Sequence, residues 1–386
     1  MKGVQELEWR VPLADLDYNQ EEEEAVLDVL RRRWLTMGSV TQQFEEEFAR
    51  LCGVNYALAV SNATVALHLA CLTLGIGQGD EVIVPSLTFV ASANAVLYTG
   101  AQVRFVDILG EDDLTISPEE IEKNITSRTK AIMVVHYGGF PCRMEDILPI
   151  AQKHKLALIE DAAHSPGAFL NGRALGAWGD VGCFSFFSNK NLSTGEGGML
   201  VTNRKDIADK ARLLRSHGMT SLTWDRHQGH AFTYDVIELG YNYRIDEIHS
   251  ALGLVQLKKL GKNNARRGEI TRYYRLNLEN SPLRLPFREA PGLPSYHIFP
   301  VLLPEGVDRR EFMDSLRDSG IQTSIHYPPV HLFSHYCQRY PGISLPLTEM
   351  ISRCEVTLPL FPTMREDQID LVIARSLEIL GILEKS

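Results

Sequence analysis

The sequence predicts an α/β protein with a large, mostly parallel sheet and helices on both of its faces. Short apolar runs at Val103 to Asp107, Ala131 to His136 and Leu156 to Asp161 alternate with helical segments near Pro118 to Asn124 and Met144 to His154. Strands that alternate with helices favour parallel pairing, because each return to the same edge of a sheet requires a crossover connection. With 386 residues, 44% of them hydrophobic, the chain can bury a large core and support a second, smaller domain.

The first part of the chain contains the remaining elements of this sheet domain. A Glu-rich helix is predicted at Gln20 to Arg33 and a second at Thr41 to Leu51, which Thr41 would cap. Further strands are predicted at Tyr56 to Val60, Glu81 to Val84 and Cys183 to Phe187, and further helices at Val65 to Leu74, from Phe89 onward, and at Lys205 to Arg215. The polar segment from Gly218 to Tyr234 is expected to be a long loop.

A long helix from Asp246 to about Arg275 is expected to lead into the smaller domain. We therefore divide the chain into a large domain, residues 1–250, and a smaller C-terminal α+β domain, residues 251–386. The smaller domain is predicted to hold a strand at Tyr296 to Leu303 and helices at Asp308 to Ser319 and Asp367 to Leu380. Its segment from Ser324 to His331 contains too much proline for a central strand.

Charge and composition argue against several functional classes. The formal net charge is −10 and no Lys/Arg-rich run is present, which disfavours nucleic-acid binding. No apolar run reaches the 18 residues of a membrane span and the charged N-terminus lacks a signal-peptide core, so no membrane association and a cytoplasmic location are expected. The six cysteines form no CxxC pair and no metal-ligand spacing, so we expect reduced thiols and no metal site.

Lys190 is the strongest candidate for a catalytic side chain. It lies in a Ser/Asn/Thr/Gly loop between a buried strand and the glycines at 195, 197 and 198, a setting that fixes its position and allows close approach of a bound group. Taken alone, such a lysine is more often a solvated turn residue. Asp161 changes this balance, because it ends an apolar strand and should lie at the carboxyl edge of a parallel sheet. A lysine that forms an imine and an acid that keeps a pyridine nitrogen protonated are the pair that pyridoxal phosphate chemistry requires.

The turn after the first strand is a candidate phosphate site. Ser61, Asn62, Ala63 and Thr64 open a helix, whose first N–H groups and positive dipole end favour an anion. Ser61 or Asn62 could equally serve only as a helix cap.

At Lys190 and Asp161 the sequence resembles the pyridoxal-phosphate sugar aminotransferases of the DegT/DnrJ/EryC1/StrS family. The resemblance runs almost end to end. Its motifs are WLTMGSVTQQFEEEFA from Trp34, SNATVALHLA from Ser61, GDEVIVPSLTFVASANAV from Gly79, VVHYGGFPCRM from Val134, IEDAAHSPGAF from Ile159, GDVGCFSFFSNKNLSTGEGG from Gly179, GYNYRIDEIHSALGLVQL from Gly240 and SIHYPPVHLFSHY from Ser324. The resemblance implies the aspartate-aminotransferase-like fold, fold type I.

The resemblance also implies a set of cofactor-binding residues. Lys190 would hold the cofactor, Asp161 would face the pyridine nitrogen, and Phe89 and Ala163 would cover the two ring faces. His164 would neighbour the ring hydroxyl. The remaining candidates, which would bind the phosphate or its surroundings, are Ala63, Thr64, Ser185 and, from the partner subunit of a homodimer, Asn242. The family usually has Gly where this chain has Ala63, so Ala63 is the weaker of these candidates.

For the substrates, the resemblance implies an amino-acid donor, L-glutamate, and a nucleotide-linked keto sugar. Candidate substrate contacts are Thr36, Gly38, His326, Tyr327 and His331, although each of them could instead be an ordinary loop residue that does not contact the substrate. Phe187 and the STGEGG segment look more like enzymes that aminate C4 of 4-keto-6-deoxy sugars. A C3 keto-sugar or amino-cyclitol aminotransferase is the alternative.

Three other classes of protein are disfavoured by particular residues. A nicotinamide-dependent oxidoreductase should carry GxGxxG after its first strand, and the sequence has none there. Relatives that dehydrate sugars replace the lysine with histidine, whereas this chain retains Lys190. A non-catalytic regulatory relative would not need to keep both Lys190 and Asp161.

Overall fold

The computed structural model of the chain describes residues 9–220 and 233–383. A seven-stranded sheet organises the larger part of it, in the strand order β1-β9-β8-β5-β4-β2-β3. These strands are β1 Tyr56–Val60, β2 Glu81–Pro85, β3 Gln102–Val106, β4 Thr129–Val135, β5 Ala157–Asp161, β8 Val181–Ser185 and β9 Gly198–Thr202, and a small hairpin is formed by β6 Phe169–Leu170 and β7 Arg173–Ala174. The predicted α/β class with a large, mostly parallel sheet is confirmed.

The parallel part of the sheet joins β3, β2, β4, β5 and β8, whereas β9 pairs antiparallel with both of its neighbours. The sequence analysis did not predict β9. No helix connects β8 to β9, and the short loop between them contains Lys190, so the chain returns alongside β8 in the opposite direction. The lysine loop is therefore fixed by a strand at each end.

Helices cover the sheet on both faces. In chain order they are α1 Gln20–Arg32, α2 Ser39–Cys52, α3 Ala63–Thr73, α4 Ala91–Leu97, α5 Pro118–Lys123, α6 Met144–His154 and α7 Lys205–Arg215. Alternate residues of one strand illustrate the layering, because side chains of a strand point to opposite faces. On β4, Met133 belongs to the same buried cluster as Leu67 of α3, whereas Ile132 and Val134 belong to the cluster that contains Ile147 of α6.

The rest of the chain contains a second buried core. The elements of this part of the chain are α8 Glu247–Leu278, β10 Phe299–Leu302, α9 Arg309–Asp318, α10 Ser334–Arg339, α11 Pro346–Cys354, β11 Glu355–Leu358 and α12 Glu366–Leu383. Tyr336 of α10 lies instead in a buried cluster of the large sheet. Strands β10 and β11 pair antiparallel, and Tyr274 of α8 packs in the same cluster as Phe299 and Phe312. Val11 also belongs to this cluster, and α8 continues across the predicted boundary at residue 250. The division at that residue remains a prediction.

Several predicted boundaries differ from the structure, among them those of the second helix. Helix α2 begins at Ser39, and its N-cap is Gly38, which makes no side-chain cap. Thr41 is not a cap: it is buried inside the helix, and its hydroxyl donates to Glu247 Oε1 at 2.7 Å. The carboxylate of Glu247 also accepts the N–H groups of Gly38, Val40 and Thr41 at 2.8–2.9 Å. The N-terminus of α2 is thus capped by a residue of α8, more than 200 positions away.

Further corrections concern the first or last residue of three other elements. Strand β8 ends at Ser185 and not at Phe187, α4 begins at Ala91 and not at Phe89, and β10 begins at Phe299 and not at Tyr296. Tyr296 has a φ of 51°, which no strand can contain. Helices α10 and α11 and strand β11 were not predicted. Most of the predicted loop from Gly218 to Tyr234 lies outside the described residues.

Candidate active site

A cavity of about 640 Å³ opens where the parallel strands end, and we call it the strand-tip cavity. Val135, Asp161 and Ser185 line it as the last residues of β4, β5 and β8, and the segments that follow β1 and β2 complete the wall. In open α/β sheets, this edge is where ligands bind. Its lining includes the predicted site residues Ala63, Thr64, Phe89, Asp161, Ala163, His164, Ser185, Lys190, His326 and Tyr327.

Lys190 extends from the loop between β8 and β9 into the strand-tip cavity. The backbone N–H of Lys190 donates to the carbonyl of Phe187 at 2.8 Å, which closes a tight turn that fixes the Cα position. Burial of the amine lowers the pKa of Lys190 from 10.5 to about 7, although the charge of Asp161 acts in the opposite direction. At neutral pH, a large fraction of this lysine is therefore an uncharged amine with a free lone pair.

Asp161 provides a buried carboxylate in the same cavity. Its exposure is 5%, and it accepts hydrogen bonds from Ser92 Oγ at 2.7 Å and from the Ala163 N–H at 3.2 Å. Burial raises the pKa of Asp161, whereas the hydrogen bonds from Ser92 and Ala163 and the charge of Lys190 oppose that rise. A carboxylate held in this way is suited to face a cationic group on a ligand.

The N-terminus of α3 forms a second wall of the cavity. Asn62 caps this helix, because its side-chain oxygen accepts the Val65 N–H at 3.0 Å. The N–H groups of Ala63 and Thr64 precede the first intrahelical donor and remain available to an anion. The first residue of β9 lies against this turn, and a Cβ atom on Gly198 would come within 2.6 Å of the Asn62 carbonyl carbon. Only glycine allows this approach.

Aromatic rings border the open side of the cavity. Phe89, Tyr98 and Phe187 are 57%, 58% and 45% exposed, respectively, and all three line it. Exposed aromatic rings beside a polar site provide flat apolar surfaces for a ring-shaped ligand. Phe89 lies 6.0 Å from the ring of Tyr327, measured between centroids.

Tyr327 and His164 form a hydrogen-bonded pair whose proton positions follow from the neighbouring backbone. The Gly138 N–H donates to His164 Nδ1 at 3.2 Å, so this ring nitrogen carries no hydrogen when the ring is neutral. Burial keeps the pKa of His164 well below its ordinary value, which favours that neutral form. His164 Nε2 therefore carries the hydrogen and donates it to the Tyr327 hydroxyl at 3.0 Å. The hydroxyl hydrogen of Tyr327 remains available to an acceptor in the cavity.

His326 is buried beside this pair. Its Nδ1 lies 2.8 Å from the hydroxyl of Thr357, and its backbone N–H donates to Glu355 Oε2 at 2.8 Å. Burial also lowers the pKa of His326 to about 4 and raises that of Glu355 to about 8. These contacts hold the segment that brings Tyr327 to the cavity.

Four candidate residues lie outside the strand-tip cavity of this chain. His331 is buried between Ser86 and Glu349, with Nδ1 2.7 Å from the Ser86 hydroxyl, so it packs the segment instead of facing the cavity. Thr36 forms a β-bridge with Asp246, and Gly38 donates to Glu247. Asn242, which forms a backbone bridge with Ser216, is the residue predicted to serve the partner subunit. The structure therefore does not bring Thr36, Gly38 or His331 into the lining of the strand-tip cavity of the same chain.

The structure also adds residues that the sequence analysis did not single out. Ser92 reaches Asp161 from α4, and His297 Nε2 lies 3.3 Å from Lys190 Nζ. Asn189 and Glu196 line the cavity, and Asn189 Oδ1 is buried without a hydrogen-bond partner among the described residues. Of these residues, only Asn189 and Glu196 could have been predicted from the sequence, because they lie in the same loop as Lys190 and loop neighbours of a lysine tend to share its cavity. Ser92 and His297 are brought in by tertiary packing.

Together, these features define the class of the protein. A mixed sheet that presents a lysine with a pKa of about 7 and a buried carboxylate at one cavity is the architecture of a fold type I aminotransferase. The chain belongs to the DegT/DnrJ/EryC1/StrS aminotransferase family, whose model matches residues 17–376. The family membership predicted from the motifs is therefore confirmed.

Three relatives show how close the similarity is. The chain is 40% identical, over 92% of its own length and 93% of the relative's, to the spore coat polysaccharide biosynthesis protein SpsC of Bacillus subtilis. It is 36% identical to S. venezuelae DesV, solved in complex with a ketimine intermediate, with a TM-score of 0.89 over 96% of this chain and 98% of DesV. Helicobacter pylori PseC, an aminotransferase involved in pseudoaminic acid biosynthesis, gives 29% identity and a TM-score of 0.90 over 96% and 99% of the two chains.

Two further findings concern the described residues only. None of the helices within residues 9–220 and 233–383 is both long and apolar enough to cross a bilayer. The same residues contain no group of three or more His, Cys, Asp or Glu side chains arranged to hold a metal ion.

Proposed function

We propose that this chain is a pyridoxal-phosphate-dependent aminotransferase that transfers the amino group of L-glutamate to a nucleotide-linked 4-keto-6-deoxyhexose. The observation that carries the proposal is the pairing, in one cavity, of the Lys190 amine, whose pKa is about 7, with the buried carboxylate of Asp161. Surface lysines titrate three or more pH units higher and are poor bases at neutral pH. Membership of an aminotransferase family supports the same reaction class.

The residues of the strand-tip cavity fit pyridoxal phosphate. The N–H groups of Ala63 and Thr64 would hold its phosphate, with Ser185 nearby at the end of β8. Because Gly198 closely approaches that turn, backbone groups form the binding surface there. Asp161 would face the ring nitrogen, while Phe89 and Ala163 would cover the ring. A cavity of about 640 Å³ has room for the cofactor together with part of a sugar.

When bound, pyridoxal phosphate carries the amino group between the two substrates and accepts the electron pair released as a proton leaves carbon. The chain's own residues would manage the protons and charges around it. Lys190 Nζ takes the proton from the α-carbon of the donor and later returns a proton to the sugar carbon, which requires the neutral amine that burial favours. Asp161 stabilises positive charge at the ring nitrogen throughout, and Ser92 keeps this carboxylate oriented.

Tyr327 and His164 would contribute a hydrogen-bond donor. Because His164 donates to Tyr327, the tyrosine hydroxyl hydrogen can point to an oxygen atom in the cavity. The pKa of Tyr327 is raised by burial, so this group stays protonated and donates hydrogen bonds without giving up its proton. Such a donor is suited to the hydroxyl or keto oxygen of a sugar, or to the oxygen on the cofactor ring.

The choice of a deoxy sugar rests on the aromatic border of the cavity. Phe187, Phe89 and Tyr98 present exposed ring faces, on which the C–H face of a pyranose and an apolar C6 methyl group can pack. The similarity to SpsC, a polysaccharide biosynthesis protein, supports a sugar substrate. We further propose that the enzyme is a cytoplasmic homodimer in which Asn242 of each subunit completes the cofactor-phosphate site of the other.

The proposal is tested by incubating the purified protein with pyridoxal phosphate, L-glutamate and single nucleotide-linked sugars, and by measuring the product mass. Replacement of a keto oxygen by an amino group, with 2-oxoglutarate formed in equal amount, is expected for the 4-keto-6-deoxyhexose. Faster turnover of a 3-keto sugar or a keto-cyclitol would instead favour those alternatives. If no keto sugar is aminated and a nicotinamide cofactor binds instead, the aminotransferase proposal is wrong.

A further inference from the structure

We infer that His297 is a positioning residue that accepts a hydrogen bond from Lys190 and thereby directs the lone pair of the Lys190 amine into the strand-tip cavity. This inference deepens the proposed function and rests on it, because it assigns a role to His297 in the proton transfers of Lys190. The two atoms in contact are Lys190 Nζ and His297 Nε2, 3.3 Å apart. The sequence analysis gave His297 no role.

The direction of this hydrogen bond follows from a chain of amide groups that begins at a backbone carbonyl. Asn264 Nδ2 donates to the carbonyl oxygen of Pro166 at 2.9 Å, and a carbonyl oxygen can only accept. The other end of the same amide, Oδ1, therefore faces Asn191, and it accepts from Asn191 Nδ2 at 2.8 Å. Asn191 Nδ2 also donates to the carbonyl oxygen of Ser295 at 2.7 Å, which independently fixes the orientation of the Asn191 amide.

The orientation of Asn191 determines the tautomer of His297. Asn191 Oδ1 lies 2.9 Å from His297 Nδ1, and an amide oxygen has no hydrogen to donate. His297 Nδ1 must therefore carry the hydrogen, and in the neutral ring Nε2 then presents a bare lone pair. That lone pair is directed at Lys190 Nζ, so Lys190 is the donor.

The surroundings of His297 keep the ring neutral and fixed. The residue is 5% exposed, its N–H donates to the carbonyl of Gly138 at 2.9 Å, and Arg267 donates to its carbonyl at 3.3 Å. Burial, aided by the positive charges of Lys190 and Arg267, keeps the pKa of His297 well below its ordinary value. The acceptor is consequently present throughout the pH range in which Lys190 changes charge.

An acceptor at this place has a geometric consequence for the amine. A neutral amine has two N–H groups and one lone pair in tetrahedral directions, and one of these N–H groups points at His297. The lone pair and the remaining N–H are then turned away from His297, toward the side where the cavity is open. A base whose orientation is restricted needs less reorganisation to reach the reacting carbon. Measured rates of well-oriented intramolecular reactions show that this effect is large.

Two conservative substitutions separate this role from a structural one. A glutamine amide can occupy the place of a histidine Nε2 and an asparagine amide the place of Nδ1. His297→Gln would therefore keep an acceptor toward Lys190 and lose the contact with Asn191. His297→Asn would keep the contact with Asn191 and leave Lys190 without its acceptor. A residue that only supports the Asn191 network should tolerate asparagine better, whereas a residue that orients Lys190 should tolerate glutamine better.

The first measurement uses protein freed of cofactor, so that its result does not depend on turnover. Acetylation of Lys190 is followed as a function of pH by peptide mass spectrometry, with the exposed Lys258 as the internal reference. Loss of a neutral acceptor destabilises the ammonium form, so His297→Asn should lower the pKa of Lys190 and raise its reactivity at pH 6 several-fold. His297→Gln should leave both values near those of the wild type. Thermal unfolding of each variant checks that the fold is retained.

The second measurement is the turnover of the cofactor-loaded enzyme. In His297→Asn, kcat should fall about tenfold or more although a larger fraction of Lys190 is neutral, and KM for the sugar should change little. An unchanged Lys190 reactivity profile in His297→Asn, or a greater loss in His297→Gln than in His297→Asn, overturns the inference. Failure of the proposed function would look different, because the wild type itself would then fail to aminate any keto sugar.

Discussion

Ser92 Oγ lies 2.7 Å from Asp161 Oδ2 and joins the first turn of α4 to the last residue of β5. The hydroxyl of Thr88 lies 2.8 Å from the same Ser92 oxygen, so the contact belongs to a short buried chain of hydroxyl groups. Burial alone would favour the protonated form of Asp161, and the Ser92 hydrogen bond favours the ionised form. The hydrogen bonds from Ser92 and Ala163 therefore oppose the effect of burial, although the pKa of Asp161 is still raised.

Substitution of Asp161 by Ala should reduce the rate much more than it weakens cofactor binding. The proposed phosphate site at the start of α3 would be unchanged, whereas the charge proposed to face the ring nitrogen would be lost. We expect kcat to fall by about 100-fold or more, as for the removal of other preorganised electrostatic groups. Ser92→Ala is the milder matched variant and should give a smaller loss. Turnover of Asp161→Ala near the wild-type rate would mean that this carboxylate is not required.

Substitution of Lys190 by Ala should abolish transamination and leave the fold intact. The side chain points into a cavity, and the turn at Phe187 is made by backbone atoms. Turnover with L-glutamate and a keto sugar, circular dichroism and size-exclusion chromatography are the measurements. Lys258→Ala, on the exposed face of α8, is the control and should retain full activity. Persistent turnover in Lys190→Ala would refute the assigned base.

The buried amine should also make the stability of the cofactor-free protein depend on pH. The pKa of Lys190 is about 7 in the folded state against 10.5 for an ordinary lysine, so between these values the unfolded chain binds more protons. Stability should therefore rise with pH across this window, by at most about 1.4 kcal/mol per pH unit from this residue. Below pH 7 the full cost of burying the lysine remains, and above pH 10.5 it disappears.

Denaturant unfolding of wild type and Lys190→Met at several pH values isolates this contribution. The advantage of the methionine variant should be greatest below pH 7 and should shrink as the pH approaches 10. A difference that is constant with pH would show that Lys190 titrates normally.

Asn242→Ala should weaken cofactor retention if the residue completes the partner subunit's site. In one chain, Asn242 lies outside the strand-tip cavity and bridges the backbone of Ser216. Loss of cofactor on dialysis, measured by absorbance, should be faster than in the wild type, and size-exclusion chromatography should show a dimer for both. Asn203→Ala, which changes an exposed asparagine that accepts from the Asn55 N–H, is the control. A monomer that retains cofactor as well as the wild type would contradict the shared site.

Glu247→Ala should destabilise the protein without changing the catalytic groups. The carboxylate accepts three N–H groups at the start of α2 and the Thr41 hydroxyl, and its removal leaves these donors without their partner. The expected loss is about 2 kcal/mol or more in the free energy of unfolding, measured with denaturant. Glu46→Ala, on the exposed side of α2, should change it by less than about 0.5 kcal/mol. Equal effects of the two substitutions would exclude the capping role.

The parts of the fold that local pattern controls could be predicted from the sequence. Helices α6 and α7 have the predicted ends, because the hydrophobic period that defines each helix lies within the segment itself. The strands that end at Asp161 and precede Lys190 were found for the same reason, as apolar runs with polar residues at one end. Their meeting at one cavity followed from a general property of parallel sheets, whose carboxyl ends share an edge.

What only the tertiary structure decided are the contacts between residues far apart in the chain. Glu247 caps α2 across more than 200 residues, Ser92 reaches Asp161 from a different strand connection, and His297 meets Lys190 from the segment that precedes β10. Nothing near these residues in sequence distinguishes them from an ordinary Glu, Ser or His. Their roles depend on a partner that packing supplies and on burial, which raises the cost of leaving a polar group unpaired. The sequence by itself therefore determined the fold class and the Lys190–Asp161 pair, and the packing of the chain decided which groups orient and tune them.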